Sequence, residues 1–359
     1  MAARPVSAKE VAEAVHAHAH VAAAGGRTKK PLVGEGEVIE MGGLSGIAEY
    51  EASEYTFTAR AGTPVREVEG ALKEKRQYLP FDPLFVEGGA TLGGTIAAGV
   101  SGPGRFRYGG LRDFLIGVEF VDGSGRLVRS GGKVVKNAAG FDLPKFLVGS
   151  LGRFGIVTEV SFKVFPAPVE TVTLRVSCAN HEVAGERLAE VARSRWEAEA
   201  LDYDLAARCM VVRLGGPGRA LDLLCGEIES RWRGEVERVD PETAAEGWAD
   251  FREWAGAAKT GSRVVKIPMT LSQFGPLREG LEEVGAGGGR LSSGGAVWWL
   301  AVDEDRMEGV HAALEEKGFA GLVVRGEPWS SPWIGRREMA GILGAVKEAL
   351  DPVGRFPGL

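Results

Sequence analysis

Polar and apolar positions first take a helical spacing. Ser7 and Glu10 form a capping box, and the small and apolar residues from Val11 to Ala24 continue it, so a helix is predicted up to Gly25 and Gly26. The period then changes to two at YTFTARAG, residues 55 to 62, which predicts a strand, and Thr63 with Pro64 opens a helix expected to reach Tyr78. LIGVEFVDGSGRLVRSGG, residues 115 to 132, alternates on both sides of Asp122-Gly123-Ser124-Gly125 and reads as a hairpin. Asp142 and Pro144 open a short helix, and residues 155 to 166 read as a buried strand. Beyond Pro166 and Pro168 the texture changes to long helical stretches rich in alanine, glutamate and arginine. Strands interrupt these stretches at 263 to 271 and 296 to 302, and residues 285 to 295 (GAGGGRLSSGG) read as a flexible loop.

The glycines break this pattern in three places. VEGGATLGGTIAAGVSGPGRF, residues 86 to 106, holds the densest cluster; AAAGGRTKK (22 to 30) precedes it and GSLGRFGIVTEV (149 to 160) follows. Bare backbone suits sharp bends and close approach to another group. In TLGGTIAAG two glycines open a run of small residues, the composition of a helix start whose N–H groups can meet a phosphate. The first cluster adds Arg27, Thr28 and Lys29 beside its glycines. Any one cluster taken alone reads as a turn. A Rossmann fingerprint is excluded, because the first glycines are predicted to follow a helix and are not spaced GxGxxG.

Charge and composition narrow the partners. With 43 lysines and arginines against 49 acidic residues the net charge is −6, which offers no electrostatic footprint for nucleic acid or anionic lipid. Neither a secretory signal nor an apolar run of membrane-spanning length is evident, so a cytoplasmic chain is expected, with no direct membrane insertion and membrane association only through partner subunits. Cys178, Cys209 and Cys225 are too few and too scattered for a disulfide framework or a metal site and read as reduced, mostly buried thiols. His16 and His20 fall on one predicted helix face, but no further ligand completes a set, so no metal site is assigned. The acid pairs Asp202/Asp204 and Asp303/Asp305 read as solvated charges, and Trp298, Trp299, Trp329 and Trp333 as packing aromatics.

Together the clusters resemble a known family. TLGGTIAAGVSGP, YGGLRDFLIG, the KNAAGFD stretch, GSLGRFGIVTEV and the upstream pair LSGIAEY and ARAGTPVREVEGAL match, in order and spacing, the FAD-binding domain of the vanillyl-alcohol-oxidase (PCMH) type. Within it the chain most resembles the smaller FAD-binding subunits of glycolate oxidases, strongly from about residue 43 to 166 and loosely beyond. The resemblance implies an α+β fold: a PCMH-type FAD-binding domain of two α/β subdomains over residues 1–166, an α+β cap domain over 167–338, and a tail, 339–359, returning to the FAD domain. It implies that Gly25, Gly26, Arg27 and Thr28 form a first pyrophosphate loop. Thr91, Leu92, Gly93, Gly94 and Thr95, with Ser101 and Gly102, would form a second, Tyr108 would be a further cofactor-binding residue, and Gly152, Gly155, Ile156 and Val157 would line the site through backbone atoms. Lys136 either supplies positive charge near the flavin or is solvated at a strand end. No histidine or cysteine falls in the glycine motifs, so FAD is expected to be bound noncovalently.

Oxidising a 2-hydroxy acid needs a hydride acceptor and a base for the hydroxyl proton. None of His16, His18, His20, His181 and His311 lies in a flavin motif, so the catalytic residues stay unassigned. Arg112 and Asp113 read as an ion pair that pins a loop. The expected role is an FAD-dependent oxidoreductase subunit that acts on a small 2-hydroxy acid, converting glycolate to glyoxylate with a larger FAD subunit and an iron-sulfur subunit. Two alternatives stay open, a self-sufficient flavin oxidoreductase and a structural subunit that has lost FAD.

Overall fold

The computed structural model describes the whole chain except residue 1 and residues 133–140, 255–256, 258–259 and 339–340, so Lys136 lies outside the described residues. The chain forms two compact units. The first comprises Met1–Ser101, Gly110–Ala167 and Glu338–Leu359, and the second comprises Gly102–Gly109 and Pro168–Arg337. Gly102–Gly109, which sequence reading leaves in the first domain, packs within the second unit.

In the first unit, helix Ala8–Ala17 starts where its cap predicts: Ser7 Oγ accepts from Glu10 N, and the Glu10 carboxylate accepts from Val6 N at 3.0 Å. It buries Val11, Ala14 and Val15 against Val21, Ile39 and Met41. It also ends earlier than predicted. His18 is extended, and Val21–Ala24 form a strand parallel to Glu37–Glu40. Alanine favours helix, but the partner strand takes up the backbone groups of this segment, and Val21, Ala22 and Ala24 become buried, so tertiary pairing overrides propensity. Gly25 and Gly26 therefore follow a strand. His16 and His20 share no helix face, and His20 Nδ1 lies 3.2 Å from the Gly354 carbonyl.

This unit also holds a five-stranded antiparallel sheet, in the order Ile47–Glu51, Thr56–Arg60, Ile156–Lys163, Leu115–Val121, Leu127–Gly131. Its hairpin turns at Asp122, whose carboxylate accepts from Ser124 N and Arg126 N, both at 2.9 Å. Helix Val65–Glu74 stops short of Tyr78, because Gln77–Tyr78 pairs with Phe165–Pro166. Thr63 does not cap that helix; its hydroxyl donates to Arg60 O at 2.6 Å.

The second unit is built on a nine-stranded antiparallel sheet with helices His181–Arg193, Gly218–Arg231, Phe274–Glu283 and Met307–Glu316 burying their apolar faces in one core. It holds more strand than the alanine-rich texture predicts. Glu170–Ser177 and Cys209–Gly216 alternate buried and more exposed positions only over residues 174–177 and 210–214, a short pattern hidden by the surrounding helix formers. Trp298 and Trp299 are core residues. Residues 285–295 are not a flexible loop: Arg290–Ser292 is a strand, and Trp298 Nε1 donates to Gly288 O at 2.9 Å. Asp202 is likewise not solvated. It is fully buried, 3.0 Å from Arg290 Nε, and accepts from Ser292 Oγ at 2.7 Å and Ser293 N at 3.2 Å.

Candidate cofactor-binding site

The three glycine clusters converge within the first unit. The first leaves strand Val21–Ala24 through Gly25, Gly26 and Arg27, whose φ is +52°. A left-handed residue in a glycine turn is a backbone form that gathers consecutive N–H groups into an anion-binding concavity. This loop lies directly on the second cluster: a Cβ on Gly25 would stand 2.2 Å from Thr91 Oγ1. At the far end of helix Leu92–Ala98, Gly99 takes a φ of +62°, and a Cβ there would stand 2.8 Å from Gly149 Cα, in the third cluster. Gly149 N and Leu151 N donate to Ile96 O and Ala97 O, both at 2.9 Å, which completes the junction.

Between the clusters lies a cavity of about 780 Å³ including its open mouth. Gly25, Gly26, Arg27, Thr28, Thr91, Gly93, Gly94, Gly152, Gly155, Ile156 and Val157, all expected from the sequence, line it together. Leu92, Thr95, Ser101, Gly102 and Tyr108 are not among its lining residues. Leu92 and Thr95 are buried on the helix, Ser101 Oγ accepts from Leu111 N at 3.0 Å, and Tyr108, in the second unit with Gly102, donates to Glu199 Oε1 at 2.8 Å. Asp113 caps its own turn by accepting from Gly110 N at 2.9 Å, a structural role.

The start of helix Leu92–Ala98 corrects one expectation. Its first N–H groups are already engaged: Leu92 N donates to Thr63 O at 3.0 Å, Gly93 N to Ala61 O at 2.7 Å, and Gly94 N to Thr91 Oγ1 at 3.3 Å. Two carbonyls and the Thr91 hydroxyl already take up these donors, so this helix end offers no set of open donors to a phosphate. Its glycines serve close packing, and a Cβ on Gly93 would stand 2.9 Å from Ala61 Cβ.

Sequence reasoning missed other wall residues. Leu32, Val33, Met41 and Ala61 are brought in by strand pairing and carry no motif. Ser150 and Leu151 sit inside the third glycine run, so adjacency was the available signal, whereas Lys29, read in the first cluster as positive charge beside the glycines, does line the cavity.

The wall chemistry suits a large anionic ligand with apolar rings. Among the described lining residues the only charged side chains are Arg27 and Lys29; the remainder are glycines, apolar residues and hydroxyls. Arg27 pairs with Glu40. Lys29 is buried, with Nζ 3.1 Å from Thr28 Oγ1 and 5.4 Å from the centre of the Phe85 ring. No histidine, cysteine, tyrosine or carboxylate appears among the described lining residues.

Comparisons with known proteins agree with this chemistry. A family model described as an FAD binding domain matches residues 1–131, which supply the first two glycine clusters, and FAD is accordingly the cofactor. Alkyldihydroxyacetonephosphate synthase superimposes with a TM-score of 0.70 over 99% of this chain and 76% of its own, at 16% identity, and shares the fold. Glycolate oxidase subunit GlcD of Bacillus subtilis is 31% identical over 45% of this chain and 34% of its own length. Glycolate oxidase subunit GlcE of Escherichia coli is 31% identical over 93% of this chain and 90% of its own. The similarity to GlcE runs through both units, and the chain belongs to the family of this glycolate oxidase subunit.

Proposed function

We propose that this chain is the smaller FAD-holding subunit of a complex that oxidises glycolate, or a closely related 2-hydroxy acid, to the 2-oxo acid. Its partners would be a larger FAD subunit and an iron-sulfur subunit. One observation carries the reading: three glycine clusters, far apart in the chain, meet around one cavity whose only charged described wall residues are cations. Gly25, Gly26, Arg27 and Thr28 would hold the diphosphate, while Thr91, Gly93 and Gly94, with Gly152, Gly155, Ile156 and Val157, would form the walls through backbone and small side chains. We assign the first unit the FAD domain and the second the cap. FAD, when bound, supplies a two-electron acceptor for the hydride of the substrate carbon.

The proton of the substrate hydroxyl needs a base, and the described cavity wall carries no histidine or carboxylate. That favours a chain that binds flavin and works beside a catalytic partner, over a self-sufficient enzyme. No described helix is long and apolar enough to cross a membrane. The visible absorption spectrum of the purified chain, before and after anaerobic addition of glycolate, tests the reading. A flavin spectrum bleached by glycolate only when the larger subunit is added is expected. Bleaching by the chain alone would make it self-sufficient, and a colourless chain that takes up no added FAD would overturn the cofactor assignment.

A further inference from the structure

Three stretches of the cavity wall are held from behind by the C-terminal segment, all within the first unit. No residue beyond Val157 is among the described lining residues. Yet Val21 N donates to Arg355 O at 2.8 Å, at the start of the strand that brings Ala23, Ala24 and the first glycine cluster to the wall. Pro357 lies on Gly34, directly after the wall residues Leu32 and Val33: a Cβ on Gly34 would stand 2.2 Å from Pro357 Cγ. Arg153, between the wall glycines Gly152 and Gly155, accepts at its carbonyl from Lys347 Nζ at 2.7 Å and donates from Nε to Gly358 O.

Lys347 joins these contacts into one unit. Its side chain is 16% exposed, and its ammonium also meets Asp351 Oδ2 at 2.8 Å, Pro357 O at 3.0 Å and Phe356 O at 3.1 Å. The buried Asp351 carboxylate in turn accepts from Arg355 N at 2.8 Å and Phe356 N at 2.9 Å. Charge-assisted bonds sheltered from water fix a geometry more firmly than neutral ones.

We propose that Lys347 is a cofactor-positioning residue: it holds the tail against the strand Val21–Ala24, the turn at Gly34 and the third glycine cluster, and so fixes the spacing of the walls that receive the dinucleotide. The inference rests on the FAD reading above. Lys347 lies outside the wall, so it acts on FAD only through a coupling, and a coupling between two equilibria is reciprocal. By whatever factor release of the tail weakens FAD, saturating FAD slows release of the tail.

Two measurements on the full-length chain, freed of cofactor, test this. Titration with FAD, at a temperature where the cofactor-free variants are folded, should show Lys347→Met weaker than the parent by roughly fivefold to fiftyfold, with Lys347→Arg, which keeps the charge and donors, nearer the parent. Trypsin cleavage after Arg355 releases residues 356–359 and is read by intact mass. In the parent, saturating FAD should slow it by a similar factor, while cleavage after the exposed Arg233 of the second unit changes by no more than about twofold. This second measurement needs no variant, and it alone is decisive where Lys347→Met does not fold. A folded Lys347→Met with a lower melting temperature and parental FAD affinity would overturn the proposal, since that is a structural role alone. So would equal slowing by FAD at both cleavage sites, or slowing at neither. A parent that takes up no FAD would overturn the FAD reading and this inference with it, whereas a parent that binds FAD with a tail indifferent to it removes only the role of Lys347.

Discussion

Gly26 rests directly on the backbone of Gly89: a Cβ on Gly26 would stand 1.7 Å from the Gly89 carbonyl oxygen. Two loops more than sixty residues apart thus touch with no side chain between them, and Gly26 also lines the cavity between the glycine clusters. Gly26→Ala forces the backbone apart and should destabilise the chain by about 1–3 kcal/mol, with loss of FAD uptake. Gly42, where an added Cβ meets nothing within 4 Å, is the control, and Gly42→Ala should stay within about 0.5 kcal/mol. Urea denaturation midpoints of the two variants separate these outcomes.

Lys347 and Asp351 tie down the C-terminal segment. Lys347 Nζ lies 2.8 Å from Asp351 Oδ2 and within 3.1 Å of the carbonyls of Arg153, Phe356 and Pro357, while Asp351 accepts from Arg355 N and Phe356 N. Lys347→Met leaves a buried carboxylate without its counter-charge and should cost about 3–5 kcal/mol. Lys347→Met combined with Asp351→Asn should cost less than the single change, because no uncompensated charge remains. Thermal melts of both variants, with limited proteolysis after residue 340, report the effect.

In the second unit Lys266 gives a pH-dependent prediction. Burial, with a smaller contribution from Arg105, pushes its ammonium down to about 8 from the usual 10.5. Below pH 8 the group is charged in both folded and unfolded chains, and folding bears the full burial cost. Between about 8 and 10.5 the unfolded chain holds the extra proton, so stability rises with pH across that window. Lys266→Met should flatten this rise and stabilise the chain at pH 7 by up to about 3 kcal/mol. Denaturation midpoints at pH 7 and pH 9.5 check both statements.

Asp202 and Arg290 form an ion pair inside the second unit, with the carboxylate wholly buried. Asp202→Ala strands the guanidinium and the Ser292 hydroxyl and should cost about 3–5 kcal/mol. Arg290 also lies 4.3 Å from the Phe251 ring centre, so Arg290→Met, which keeps apolar contact there but strands the carboxylate, should be comparably damaging. Chemical denaturation followed by tryptophan fluorescence measures the loss.

Local chemistry sufficed for the elements whose cause is local. Ser7 and Glu10 mark a real helix start, Asp122-Gly123-Ser124-Gly125 a real hairpin turn, and residues 155 to 166 contain the central strand Ile156–Lys163. The glycine clusters resemble those of an FAD-binding family in order and spacing, and the family match over residues 1–131 bears that resemblance out; at Gly25, Gly26 and Gly93 the close approach of neighbouring atoms leaves no room for a side chain.

Long-range pairing decided the rest. Val21–Ala24 is a strand because Glu37–Glu40 lies beside it, a partner invisible to helix propensity. The helix start at Leu92 lost its phosphate-binding character because Ala61 and Thr63 supply carbonyls to its donors. Asp202 is buried because Arg290 and Ser292, some ninety residues on, satisfy it. Sequence alone determined which residues must be small, capped or alternating; only the tertiary structure decided which polar groups already have partners and which charges are sheltered from water, since both depend on neighbours distant in the chain.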